Sequence, residues 1–210
     1  MESSVEVLGD HYKDSVARQD LNVKKRDKVF YLILGVIVLM LFKIFLSGQL
    51  ASIVAQVSLT KLGLTESLNI DFLNSVLWFI LLMLIMLYLQ LRTNVERLYT
   101  YIHYLESELN KIFGGNAFTR EGESYLKQYP CFLQWAHFIY NVLFPSIFII
   151  IISIKIGSEW VDVCKAKTFS YLVVIDSLFF LTILVSIILA YIFEILESKK
   201  EKEQLNKSNV

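Results

Sequence analysis

The stretch FLNSVLWFILLMLIMLYLQL, residues 72–91, decides the fold class. It runs for twenty residues without a charge, about the number a helix needs to cross roughly 30 Å of hydrocarbon. Only a helix or a closed barrel satisfies its own backbone polar groups in lipid, and a run this long and apolar reads as the helix. Three further apolar runs lie outward from it, at residues 29–47, about 138–154 and 171–193. The composition agrees: 55% of the 210 residues are apolar, against about 45–50% for ordinary soluble domains. The sequence therefore predicts an all-α integral membrane protein with four transmembrane helices.

The basic residues set the expected orientation. Fifteen Lys/Arg fall before the first run, between the second and third, and after the fourth, whereas Lys61, Lys165 and Lys167 alone fall on the other side. Cytoplasmic loops carry the excess of Lys and Arg, so both termini and the central loop are expected in the cytoplasm of a bacterial inner membrane. The expected organisation is a cytoplasmic N-terminal segment (1–28), two spans joined by an outer loop at 48–71 (29–91), a cytoplasmic helical loop (92–137), two more spans (138–196) and a polar tail (197–210). The opening block is too polar and too mixed in charge for a secretory signal, and the run after it is too long.

The central loop has a pattern of its own. Leu91, Val95, Leu98, Ile102, Leu105, Leu109 and Ile112 recur at spacings of four and three, a heptad seam three repeats long. Gly114-Gly115-Asn116 then stops it, as a helix C-terminus does. The second span is thus expected to continue into the cytoplasm as one helix over 72–113. Thr119 caps a following helix, with Glu121 and Glu123 in its first turn, which gives a helical hairpin ending at Tyr129-Pro130. The seam has two possible partners: that second helix, or the same seam in other copies of the chain. Val5, Leu8, Tyr12, Val16 and Val23 predict an amphipathic N-terminal helix, against which Gly9 counts.

Chemistry-bearing residues are few. His11, His103 and His137 have no second ligand at metal spacing, and no nucleophile elbow or phosphate-binding glycine loop is present. No enzyme activity, cofactor or metal is expected. Cys131 and Cys164 fall on opposite sides of the membrane, so they cannot pair within one chain. Lys43, Lys155 and Asp176 stand at similar depth near the outer ends of spans one, three and four. A charge inside the bilayer costs about 2.5–3.5 kcal/mol on insertion scales. Either these residues reach out to water, or Asp176 pairs with Lys43 or Lys155 inside the bundle, lining or locking a path. Asn141 and Pro145 mark a kink, or a gate, in span three. Ser153, Ser177, Thr182 and Ser186 read as helix-packing residues. Lys24, Lys25, Arg26, Lys28, Arg92 and Arg97 gather near the inner surface, where they meet lipid phosphates or a nucleotide.

The run Tyr101-Ile-His-Tyr-Leu-Glu-Ser-Glu-Leu-Asn, then Phe118-Thr-Arg-Glu-Gly-Glu-Ser-Tyr-Leu, then Tyr129-Pro130, Trp135 and Phe144-Pro145, resembles small four-span bacterial membrane effectors of anti-phage defence loci. In particular it resembles those paired with nucleotidyltransferases, such as the Hailong-type effectors, and the resemblance covers about residues 90–146. It implies a tetramer-like homo-oligomeric channel, held shut until infection and then opened to depolarise the cell. It further implies a cytoplasmic partner such as a nucleotidyltransferase or its oligonucleotide product, and an N-terminal helix that obstructs the pore. The alternative is a non-conducting membrane anchor or sensor that recruits a soluble defence partner.

Overall fold

The computed structural model describes residues 2–45, 70–114, 135, 139, 143–166 and 170–208. It is all-helical among these residues, with four helices: α1 (Glu2–Phe45), α2 (Ile70–Phe113), α3 (Phe144–Ala166) and α4 (Tyr171–Ser208). Two of them contain segments long and apolar enough to cross a membrane, Asp71–Phe113 in α2 and Tyr171–Phe193 in α4. Only 28% and 22% of the most apolar windows of these segments are buried. A core helix of a soluble domain is mostly buried, whereas most of the surface of these two apolar segments is left uncovered by the rest of the chain.

The chain divides into two compact units. The first is formed by residues 1–31 and 90–148. Here the heptad seam of α2 is covered within one chain: Val95, Ile102, Leu105 and Leu109 are buried, Leu91 and Leu98 half-buried, and Ile112 exposed. The expected second helix of the hairpin, at 119–128, lies outside the described residues. The first part of α1 packs in this unit, where Tyr12 Oη donates to Glu106 Oε1 across 3.1 Å; further along α1, Phe30 meets Phe144 edge to face with centroids 5.7 Å apart. At Gly114 the backbone turns to φ +66°, and its N–H closes on the Asn110 carbonyl at 3.0 Å. A left-handed glycine of this kind ends a helix without the Cβ clash that any other residue meets.

α1 is one uninterrupted helix through Gly9 and the basic run at Lys24–Lys28. A mid-helix glycine costs about 1 kcal/mol relative to alanine, and the burial stripe running along α1 offsets it. In the first unit that stripe is most deeply buried at Ser15, Gln19 and Val29, with Val5, Leu8, Tyr12, Val16 and Val23 half-buried. The apolar residues flank the contact, and a small and a polar residue occupy its centre.

The second unit comprises residues 32–89 and 149–210. Its core is drawn from all four helices: Ile33, Ile37 and Met40 of α1, Trp78, Leu81 and Ile85 of α2, Ile152 and Ile156 of α3, and Leu172, Ile183 and Ile187 of α4. Trp78 packs edge to face on Phe180 at 6.2 Å. Of the helix-packing candidates Ser153, Ser177, Thr182 and Ser186, Ser177 ties α4 to α3 by accepting from Trp160 Nε1 at 3.0 Å, while the hydroxyl protons of all four stay within their own helices. Each donates to the carbonyl four residues before it, at 2.7–2.8 Å, the local solution for a hydroxyl in an apolar helix.

Candidate functional site

Within the second unit four polar side chains close on one another in a core whose other buried residues, Ser75 apart, are apolar. Asn74 enters from α2, Lys155 and Glu159 from successive turns of α3, and Asp176 from α4; each is at most 4% exposed. The helical period creates the α3 contribution, because residues four apart lie on one face, and Lys155 Nζ donates to Glu159 Oε1. Lys155 Nζ also donates to Asn74 Oδ1 at 2.9 Å. Asn74 Nδ2 in turn donates to Glu159 Oε1 at 2.8 Å and to Asp176 Oδ2 at 3.0 Å. Trp78, fully buried one turn further along α2, adds its indole N–H to Glu159 Oε1 at 3.1 Å.

The bonding is lopsided. Glu159 Oε1 accepts from three donors, whereas Glu159 Oε2 and Asp176 Oδ1, both buried, accept none. Lys155 forms its ion pair with Glu159, and Asp176 joins the network through Asn74. Moving such ions out of water costs several kcal/mol each unless the geometry is good and the remaining lone pairs are served. Beside them lies a cavity of about 190 Å³, lined by Asp71, Asn74, Glu159, Asp162, Ser170 and Asp176 among others. Asp71 and Asp162 are exposed, which puts the cavity in contact with the surface.

Of the residues singled out in the sequence, Lys155 and Asp176 are brought into one network, and neither reaches out to solvent. They are joined through Asn74, an arrangement that matches neither of the two alternatives, exposure to water or a direct pair. Lys43 lies near the end of α1, and its side chain is outside the described residues, as is Asn141. Pro145 is the second residue of α3, where a missing N–H breaks no helical bond. Leu143, the residue before α3, has π-helical backbone. Of the basic group, Arg26 pairs with the adjacent Asp27 at 2.9 Å and Arg92 with Glu96 at 3.2 Å; Lys24, Lys25, Lys28 and Arg97 are exposed. Those four alone present charge outward.

Asn74, Trp78 and Glu159 are absent from the sequence-derived set. Asn74 is an uncharged residue inside an uncharged run and so carries no signal of its own. Glu159 was lost because the third span was ended at residue 154, whereas α3 continues to Ala166. The four-residue spacing of Lys155 and Glu159 was the signal that identifies it. No group of three or more His, Cys, Asp or Glu is arranged to hold a metal ion among the described residues.

The chain matches no family model, no curated protein and no solved structure. What it does is therefore argued from the geometry above and from the sequence.

Proposed function

We propose that all four helices cross a bacterial inner membrane with both termini cytoplasmic, and that several copies form an ion-conducting pore opened from the cytoplasmic side to depolarise the cell. The buried Asn74–Lys155–Glu159–Asp176 network carries this reading. Ionisable groups set among apolar residues at membrane depth are expensive, and their usual use is in an ion path, a relay or a voltage-dependent step. Here they link α2, α3 and α4, so separating any of these helices breaks the network; it serves as the latch of the closed state.

The outward faces of the other two helices support four spans. Leu32, Val38, Leu39 and Phe42 of α1, and Ile147, Ile150 and Ile154 of α3, are exposed large apolar residues, as lipid-facing positions are. With the α2 seam covered inside one chain, copies meet through membrane-exposed helix surfaces in this proposal. The setting of anti-phage defence, with a nucleotidyltransferase or its oligonucleotide product as partner, rests on the resemblance of residues 90–146. A second reading, a non-conducting anchor or sensor, draws on the first unit: Tyr101, Tyr104, Ile112 and Phe113 stand exposed beyond the apolar run and would meet a soluble partner.

Membrane potential in cells, followed with a voltage-sensitive dye during phage challenge, separates the two. A pore gives depolarisation that Asp176→Asn or Glu159→Gln alters at equal protein level. An anchor gives no dependence on these residues, with loss of protection confined to substitutions in residues 92–137.

A further inference from the structure

We infer that the acyl chains of the membrane cover the second unit between two levels, one marked by Asp71, Asp162 and Tyr171 and the other by Tyr88 and Tyr191. The inference rests on the reading that α2, α3 and α4 cross a membrane, and adds where the two lipid surfaces lie. Contacts between helices bring each set of residues to one level. Asn74 of α2 meets Asp176 of α4 at 3.0 Å. Four residues further along each helix, Trp78 meets Phe180 with ring centroids 6.2 Å apart, so the two helices run parallel and in register. Carried on along both helices, that register sets Tyr88 beside residue 190, next to Tyr191. At the opposite end Asp71, Asp162 and Leu172 line one cavity, and Tyr171 adjoins Leu172.

Between these levels the outer surface is uncharged. On α2, residues 72–88 carry no charge. On α3 and α4 the charges between the levels are Lys155, Glu159 and Asp176, and all three are buried in the network. Outward positions are apolar, as at Met83 of α2, Ile154 of α3 and Leu181 of α4, each at least 55% exposed; the exposed hydroxyls of Ser153 and Thr182 are bonded back into their own helices. The stretch from Tyr171 to Tyr191 rises about 30 Å, the thickness of a bilayer's hydrocarbon. Tyrosine suits the boundary because its ring is apolar and its hydroxyl is not. Trp160, 42% exposed and two residues before Asp162, stands just inside the first level.

These levels set the depth of the network. Asp176 is five residues inside Tyr171, which puts it about 8 Å below the outer headgroups, and the mid-plane falls near Leu181. Leu81 and Ile183, both fully buried, fill that middle layer. Charges are most expensive at the bilayer centre, and the network stands off it. Parting the network therefore admits water to the outer half of the unit alone, and a conducting state must also part the apolar layer beneath.

The test is a nitroxide scan along α4 in the full-length chain, reconstituted in vesicles of phosphatidylethanolamine and phosphatidylglycerol. In a Cys131→Ala, Cys164→Ala background, Val174→Cys, Leu178→Cys, Leu181→Cys, Val185→Cys, Leu189→Cys and Ile192→Cys are labelled one at a time; all six positions are exposed, so none of the changes empties the core. Collisions of the label with oxygen, which concentrates in acyl chains, are compared with those of a water-soluble nickel complex. The expected oxygen-to-nickel ratio is highest at Leu181, to within one helical turn, and falls toward both Val174 and Ile192. A maximum elsewhere moves the levels and overturns the inference while leaving the crossing of α4 in place. A ratio with no maximum, with nickel reaching every position, overturns the inference and the crossing together.

Discussion

Asn74 serves groups of both signs, because a carboxamide presents an acceptor and a donor about two ångströms apart. Its Oδ1 takes the Lys155 ammonium while its Nδ2 reaches Glu159 and Asp176; neither a hydroxyl nor a carboxylate offers that combination in one plane. Asn74→Leu is therefore expected to destabilise the second unit by about 1–3 kcal/mol for each carboxylate that loses its donor, read as a shift in the unfolding midpoint of the solubilised protein. Lys155→Met leaves two buried carboxylates unbalanced and is expected to cost about 3–5 kcal/mol, whereas Lys155→Met with Glu159→Met removes the pair together and is milder than the single change. Equal losses in the single and double variants would show that the pair carries no mutual stabilisation. Trp78→Phe keeps a ring against Phe180 but removes the donor to Glu159, and the expected loss is about 1.5–3 kcal/mol, the worth of a hydrogen bond to a charged group.

Along a helix, periodicity reveals what is apolar and hides what is not. The four-three spacing from Leu91 to Ile112 and the Gly114-Gly115 stop made α2 readable from composition alone, since each feature has a direct backbone consequence. The first half of α1 was much harder to read, because its deepest residues are Ser15 and Gln19, which an apolar count scores as solvent-facing. For the same reason Glu159 was invisible: a charge was taken to end a span, although its partner stood one turn earlier on the same face. Lys155 and Asp176 were legible because a charge in an apolar run is rare; what surrounds them depends on which helices meet, and no local pattern carries that. Within α2, Ile102→Ala and Leu105→Ala empty positions that are at most 2% exposed, and each is expected to cost about 2–5 kcal/mol. Ile112→Ala, half exposed at the end of the same seam, is expected to change stability by no more than about 0.5 kcal/mol. Thermal melts of the helical circular dichroism signal check the contrast. A large effect at Ile112 in the assembled protein, absent from the monomer, would instead show that copies meet there.

At the scale of the whole molecule the fifteen-to-three distribution of basic residues makes a claim that two thiols can test. In the proposed topology Cys164, exposed in the last turn of α3, lies outside the inner membrane, and Cys131 lies in the cytoplasmic loop. Cys131→Ala leaves Cys164 as the single thiol, and a membrane-impermeant maleimide added to spheroplasts is expected to label it fully. Cys164→Ala leaves Cys131, which is expected to react only after the membrane is permeabilised. The reverse pattern would invert the chain. The cavity mouth at Asp71 and Asp162 would then open to the cytoplasm, and the basic run at Lys24–Lys28 would lose its expected contact with anionic inner-leaflet lipid. Labelling of both thiols in intact spheroplasts would mean that α3 does not cross, since one span between them is what separates the two sides. The network of Asn74, Lys155, Glu159 and Asp176 would then be the buried polar centre of a helical unit standing beside the membrane. Its cost would no longer be set by lipid, and the argument for a latch within a pore would fall with it.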